Sequence, residues 1–336
     1  MSGNPSLVFT APGRVEIVDR AVPEPEPGEV LIRTLRSLVS TGTELTLLHG
    51  QAAPGSAWAK ISQFPQPPGY SHVGEVVEVG EGVEDAWRGC RVSTHRPHAA
   101  WVTCPAADLR ILPDGVASED ATFTTLAEVA MNGLRRAHLT WGESVAVFGL
   151  GILGHLATRL AVAGGAGPIF AIEPSELRRS KLPRTPWIHG LEPAHPARLR
   201  EVVVERNHGR RADLVIELTA DPELIPGELE LVRDLGRFLI LSSPRGATHF
   251  DFHDLCNRRS LSLIGAHGFS HPTAEWPDYP WTARRHGELF LAWLAEGRFT
   301  VNELISHRFS YERAADAYAL LSEWRGDALG VVFEWG

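Results

Sequence analysis

One stretch, Glu143 to Gly154, limits what this chain can fold into. Val145-Ala146-Val147-Phe148 is a short apolar run with branched side chains, which reads as a buried parallel strand. It leads directly into Gly149-Leu150-Gly151-Ile152-Leu153-Gly154, a G-x-G-x-x-G pattern, and then into apolar residues at helical spacing, Leu156, Leu160, Ala161 and Ala163. Strand, tight turn and helix in that order predict part of an α/β doubly wound sheet that binds a dinucleotide. Gly149 permits the turn, Gly151 lets a pyrophosphate approach the backbone closely, and Gly154 lets the helix pack on the strand. The N–H groups of Ile152, Leu153 and Gly154 then open the helix toward the phosphates.

The pattern alone is weak, but its context strengthens it. A second apolar strand, Pro168-Ile169-Phe170-Ala171-Ile172, ends on Glu173, about 20 residues beyond the last glycine. A carboxylate there can accept both ribose hydroxyls of an adenosine and repels a 2′-phosphate, which favours NAD. Arg178 and Arg179, one helical turn on, pull the other way and keep NADP open. Ligands of open parallel sheets bind beyond the carboxyl ends of the strands, so Thr219, Ser242 and Ala266 are further candidate contacts.

A chain of 336 residues with 43% hydrophobic content is expected to hold two cores. Its formal charge of -9 argues against nucleic acid or an anionic membrane as partner, since both reward a concentrated basic surface. No basic-then-apolar leader and no long apolar span is seen, so the expected compartment is the cytoplasm. Cys90, Cys104 and Cys256 are scattered, without C-x-x-C spacing, and predict neither a disulfide framework nor a zinc ribbon.

From Leu7 to about Arg91 short strands are punctuated by Pro and Gly, which predicts an all-β start. Strand and helix patterns alternate after the glycine turn: Asp213 to Ile216 as strand, Ile225 to Leu235 as helix stopped by Gly236, Phe238 to Leu241 as strand, and Leu261 to Gly265 as the last strand. The remainder, with helices near Glu288 to Ala295 and Tyr311 to Leu321 and a strand Gly330 to Phe333, reads as a return onto the N-terminal domain. The expected domains are therefore residues 1–120 completed by 271–336, and residues 121–270.

This order of pieces resembles the medium-chain dehydrogenase/reductase family. The likeness is carried by Gly69-Tyr70-Ser71-His72-Val73-Gly74, by the Val147 to Gly154 fingerprint, and by Leu304-Ile305-Ser306-His307-Arg308-Phe309 with Ala314 to Tyr318. It covers essentially the whole chain. It implies a GroES-like β-rich catalytic domain beside a Rossmann domain, a small-molecule substrate, and a homodimer. The metal-binding pattern departs from it. Where zinc-dependent members carry Cys-Gly-Ser/Thr-Asp this chain has Thr41-Gly42-Thr43-Glu44, and where they carry Gly-His-Glu it has Gly69-Tyr70-Ser71. The third ligand position falls at Thr124 or Thr125, and hydroxyls are poor zinc donors beside thiolate, imidazole or carboxylate. The four-cysteine lobe is absent, so no zinc is expected; His72, His95 and His98 are the remaining candidates for an unexpected metal site. The chain looks like a zinc-less branch that includes bacteriochlorophyllide hydroxyethyl dehydrogenases, and similar enzymes act on sugars and aminocyclitols.

Hydride transfer without a metal needs a group that gives or takes the proton of the reacting oxygen. The resemblance puts Thr43 at a proton-relay hydroxyl and Tyr70 where a zinc-binding histidine would project, with a phenol pKa lowered by nearby positive charge. Glu44 matches an acid behind the metal site, and Glu128 falls on the helix before the fingerprint; each is a proton shuttle or a salt bridge, and together they would suit a cationic substrate. Trp276 and Trp281 line a cleft or fill a seam. The expected activity is that of an NAD(P)-dependent alcohol dehydrogenase or ketone reductase on a sugar-like or aminocyclitol metabolite of secondary metabolism, with a tetrapyrrole, quinone or enone reductase, or a non-catalytic nucleotide sensor, as alternatives.

Overall fold

The computed structural model describes residues 3–50, 52, 55–323, 326 and 328–336. The chain divides into two units, Met1–Leu126 with Arg284–Gly336, and Ala127–Ala283. The first unit opens with strands β1 (Asn4–Ala11), β2 (Arg14–Arg20), β3 (Glu29–Leu38), β4 (His72–Val79), β5 (Arg91–Thr94), β6 (Trp101–Pro105) and β7 (Arg110–Ile111). The second holds β8 (Val145–Phe148), β9 (Ile169–Ile172), β10 (Ile188–Leu191), β11 (Ala212–Glu217), β12 (Val232–Ile240) and β13 (Ser262–Gly265). Two more, β14 (Ile305–Ser310) and β15 (Gly330–Glu334), return to the first unit.

The second unit is a parallel sheet in the order β10-β9-β8-β11-β12-β13. All residues of β8 and β9 are buried, which is why both read in the sequence as unbroken apolar runs. Phe170, Val215, Leu229 and Phe238 join one core cluster here. The first unit pairs β1 with β2 in an antiparallel hairpin and builds a sheet in the order β14-β15-β3-β4-β5-β7, with β6 also on β3. β15 pairs antiparallel with β3, Val332 opposite Leu38, so the end of the chain completes the sheet begun by its start. Tyr318, Phe333, Leu7 and Phe9 pack in the same cluster.

Two expectations about elements are corrected. The N-terminal region is not all strand: Thr41–His49 is a helix, with Leu45 and Leu48 buried at helical spacing and Gly50 ending it at φ +60. The stretch Ile225 to Leu235 is not one helix either. The helix spans only Ile225–Leu229, and β12 already begins at Val232. Val232 pairs with Ala212, the chain then bulges outward, and pairing resumes with Arg237 opposite Leu214. Leu235 sits on the bulge at φ +59 and is 72% exposed, so it supplies an apolar residue at helical spacing without belonging to a helix. Among the described residues no helix is long and apolar enough to cross a membrane.

Candidate active site

In the second unit the three fingerprint glycines differ in what a side chain would meet. At Gly149, φ is +91 and a Cβ would lie 2.8 Å from the Leu218 carbonyl oxygen, so the turn requires glycine. At Gly154 a Cβ would lie 1.9 Å from the Gly149 carbonyl oxygen, where helix and turn touch. At Gly151 it would meet nothing within 4 Å. Packing therefore explains two of the glycines, and the third faces open space, as the approach of a pyrophosphate requires. The helix Ile152–Ala163 starts there with no side-chain cap, so its first-turn N–H groups, among them those of Ile152, Leu153 and Gly154, are not engaged by its N-cap side chain.

Glu173 follows β9 and folds back on this turn: one carboxylate oxygen accepts from Leu150 N at 2.8 Å, the other from Ser175 N at 3.0 Å. It is buried, with the Arg178 guanidinium 3.7 Å away. Arg179 points elsewhere, to the Glu173 carbonyl and to Glu192. Beyond β11 and β12, Thr219 Oγ1 donates to Glu217 at 2.8 Å and Ser242 Oγ also donates to Glu217. Ala266, just past β13, is buried and its N–H donates to Ile240 O. Glu128 is buried on the helix Thr124–Arg136 and belongs to this unit. Trp281 lies here too, under Arg135 with the guanidinium carbon 3.3 Å from the ring centroid, while Trp276 is exposed.

In the first unit a group of hydroxyls gathers at the start of the helix Thr41–His49. The Tyr70 phenol donates to Thr43 Oγ1 at 3.2 Å and makes a short contact with Ser40 Oγ. Thr125 Oγ1 donates to the Tyr70 carbonyl at 3.0 Å, bracing the segment from behind. Burial raises the Tyr70 pKa most, the bonds from Ser40 and Thr43 oppose this, and the Glu44 charge adds to it. The expectation of a phenol acidified by a neighbouring cation is thus corrected: the charge nearby is negative, and Tyr70 stays a neutral donor.

Glu44 lies fully buried behind this group. Its Oε1 accepts the Ser40 N–H at 2.7 Å, and its Oε2 accepts from His98 Nε2 at 3.1 Å and from the Tyr318 hydroxyl. His98 Nδ1 meets Ser37 Oγ at 2.8 Å, and Ser37 Oγ accepts from Trp335 Nε1 at 2.9 Å. Indole, hydroxyl, imidazole and carboxylate form one continuous hydrogen-bonded chain that leaves each of their polar atoms paired. Glu44 is therefore an anchor under the hydroxyl group, with three protein donors on its oxygens rather than a face offered to a cationic substrate. Ser40 and Tyr318 escape a reading of the sequence by motif. Ser40 alone carries a signal, because Ser40 to Glu44 is a variant of the capping box, in which an acid early in a helix reaches back to the N-cap N–H.

These donors do not fit zinc. Of the residues at the expected ligand positions, Thr124 Oγ1 donates to Ala121 O, Thr125 to Tyr70 O, and Tyr70 is bonded to Ser40 and Thr43. Thr41, Tyr70 and Ser71 offer neutral hydroxyls where zinc needs thiolate, imidazole or carboxylate. His98 is spent on Glu44, His72 on Thr34, and His95 is exposed. Among the described residues no three His, Cys, Asp or Glu side chains converge as a metal site.

Residues 153–283 match the family model described as zinc-binding dehydrogenase. The chain is 28% identical to L-threonine 3-dehydrogenase of Pyrococcus furiosus over 91% of each chain. It is 25% identical to D-guloside 3-dehydrogenase of Shigella flexneri, over 93% of this chain and 94% of that one. Its fold matches a short chain alcohol dehydrogenase of E. coli CFT073 complexed with NADH, at a TM-score of 0.83 and 18% identity, covering 99% of this chain and 100% of the other. The fold is that of alcohol dehydrogenase-like structures, and the matched family model and relatives are described as dehydrogenases. The relatives are named as dehydrogenases, which supports reading this chain as an oxidoreductase acting on CH–OH groups.

Proposed function

We propose that the chain is a zinc-independent carbonyl reductase, or alcohol dehydrogenase in reverse, acting on a secondary alcohol or ketone of a sugar-like or aminocyclitol metabolite, with NAD preferred. The observation that carries this reading is the hydrogen-bonded group of Tyr70, Ser40 and Thr43, in which the resemblance puts Tyr70 at a zinc-ligand position. When a nicotinamide delivers hydride to a carbonyl carbon, the oxygen must take a proton. Tyr70 gives its phenolic proton to that oxygen, Ser40 and Thr43 hydrogen-bond the phenolate that forms, and a proton from solvent restores it. A phenol whose pKa is raised by burial keeps its proton at neutral pH, so it is present as the donor that carbonyl reduction needs. Glu44 holds Ser40 in place through the backbone rather than moving a proton itself. The relatives' names support a hydroxyl on a small polar carbon skeleton, and Glu173 at the glycine turn supports NAD.

The test is the 340 nm absorbance of NADH and NADPH with chelator-treated protein against ketosugars, keto-aminocyclitols, quinones and enones, with L-threonine and polyols in the oxidative direction. Turnover of a ketone in chelator is expected, and Tyr70→Phe is expected to lower kcat by about a hundredfold to ten-thousandfold, the range for loss of a positioned acid, with NADH affinity unchanged. Activity that vanishes in chelator and returns with zinc overturns the reading.

A further inference from the structure

Glu217, the last residue of β11, is fully buried and belongs neither to the hydroxyl group around Tyr70 nor to the glycine turn. Its Oε1 accepts from Thr219 Oγ1 at 2.8 Å and from Ala220 N at 2.7 Å, and its Oε2 accepts from Ser242 Oγ. One carboxylate therefore ties together the loops that leave two neighbouring strands at their carboxyl ends. The first of those loops also abuts the fingerprint, since the Leu218 carbonyl is what a Cβ on Gly149 would strike. Ala220 is held at φ +62, a left-handed backbone that is unfavourable for a residue with a Cβ and that such a tie helps to hold.

We infer that Glu217 is a positioning residue of the dinucleotide site, whose carboxylate fixes the loops after β11 and β12 in the shape that receives the cofactor beside the glycine turn. This rests on the nicotinamide-cofactor reading above. Three donors converge on it, and a carboxylate can accept all three. An amide keeps one oxygen for Thr219 and Ala220 and offers Ser242 an N–H, so Ser242 must reverse from donor to acceptor and every bond loses its charge assistance; Glu217→Gln thereby weakens the tie between the two loops. The neighbouring Glu228 is buried with no hydrogen-bond partner for either oxygen, and burial first, then the Glu217 and Asp221 carboxylates, push it up to about 9, so at neutral pH it is a neutral acid.

The experiment is titration of the full chain with NADH, followed by tryptophan fluorescence far below the melting temperature, together with the melting temperature of the cofactor-free protein. Glu217→Gln is expected to raise the Kd for NADH about tenfold. Ser242→Ala cuts one tie and leaves the bonds to Thr219 and Ala220; it is expected to raise Kd about threefold and serves if the first variant does not fold. A folded variant that melts lower but binds NADH as the wild type does would make Glu217 structural only and overturn the inference. Absence of NADH and NADPH binding by the wild type overturns the cofactor reading and the inference with it.

Discussion

In the second unit the surface offered to a ligand is backbone: a turn at Gly149, open space at Gly151, and the uncapped start of the helix Ile152–Ala163. In the first unit it is side chains: the Tyr70 phenol between Ser40 and Thr43, with Glu44, His98 and Tyr318 behind them. Backbone sites depend on what is missing, because any Cβ in the wrong place fills them. Side-chain sites depend on what is present and on long-range packing that holds it. Substitutions of the two kinds should therefore fail differently.

The largest effect is expected from Gly154→Ala. Its methyl would sit 1.9 Å from the Gly149 carbonyl oxygen, so helix or turn must shift, and both folding and NADH binding should suffer. Gly151→Ala separates the two. Its backbone, φ -65 and ψ -174, suits alanine, and the methyl meets no protein atom. The melting temperature should hold or rise slightly, while NADH affinity falls by about a hundredfold, the equivalent of about 3 kcal/mol of misfit. Equal loss of stability in both variants would remove the distinction between packing glycine and ligand-facing glycine.

The same contrast explains what the sequence can reveal. The glycine turn is a run of local constraints on backbone geometry, so what is expected of Gly149, Gly151 and Gly154 is legible from their spacing together with the strand before them and the helix after them. The anchor beneath Tyr70 does not, because Glu44 meets His98 across 54 positions and Tyr318 across 274, and nothing local marks the pairing. Thr43 and Tyr70 are legible only through a family resemblance, which puts Thr43 at a relay hydroxyl and Tyr70 at a metal-ligand position. Glu217 carries no signal of its own, since a carboxylate that serves two loops looks no different in sequence from one that faces water. The bulge at Leu235 misleads for the opposite reason: Ile225, Leu229, Leu231 and Val232 are all buried, and their spacing imitates a helix that Val232 has already left for β12.

The units should also respond oppositely to pH. Glu228 in the second unit is raised from 4.5 to about 9. Between those values the folded chain holds a proton that the unfolded chain releases, so its stabilising contribution is complete below pH 4.5 and is lost as pH rises. His72 in the first unit is lowered from 6.5 to about 3, by burial first and then by His98 and Arg96. Thr34 donates to Ala99 O and accepts from His72 Nε2, which leaves Nδ1 buried without a partner and the ring neutral. Its contribution is present above pH 6.5 and lost as pH falls toward 3. At about 1.36 kcal/mol per unit, the upper bound between pH 4 and 8 is about 5 kcal/mol for Glu228, from 4.5 upward, and about 3 kcal/mol for His72, from 6.5 downward. Calorimetric melting from pH 4 to 8 should show Glu228→Gln raising the melting temperature most at pH 8 and least at pH 4, and His72→Gln flattening the acid side. Parallel shifts at every pH would refute both assignments.

The smallest effect sharpens the comparison most cheaply. Among the described residues, every positive φ in the first unit belongs to glycine, whereas the second unit places His138, His208, Ala220, Leu235 and Ser260 there. Strain at Ala220 has a use if Glu217 shapes the cofactor site, but Leu235 on the β12 bulge touches no proposed ligand position and is 72% exposed. Leu235→Gly relieves a left-handed backbone worth about 1–2 kcal/mol and gives part of this back through the freer unfolded chain, for a net gain of about 0.5–1 kcal/mol. The melting temperature should rise by about 2 °C with NADH affinity unchanged. Ala220→Gly should stabilise similarly yet alter NADH binding, because glycine keeps the N–H that Glu217 accepts but frees the loop to leave the backbone shape the tie holds. If both variants leave binding unchanged, the strain at Ala220 is as idle as that at Leu235, and the loop after β11 is held by packing alone.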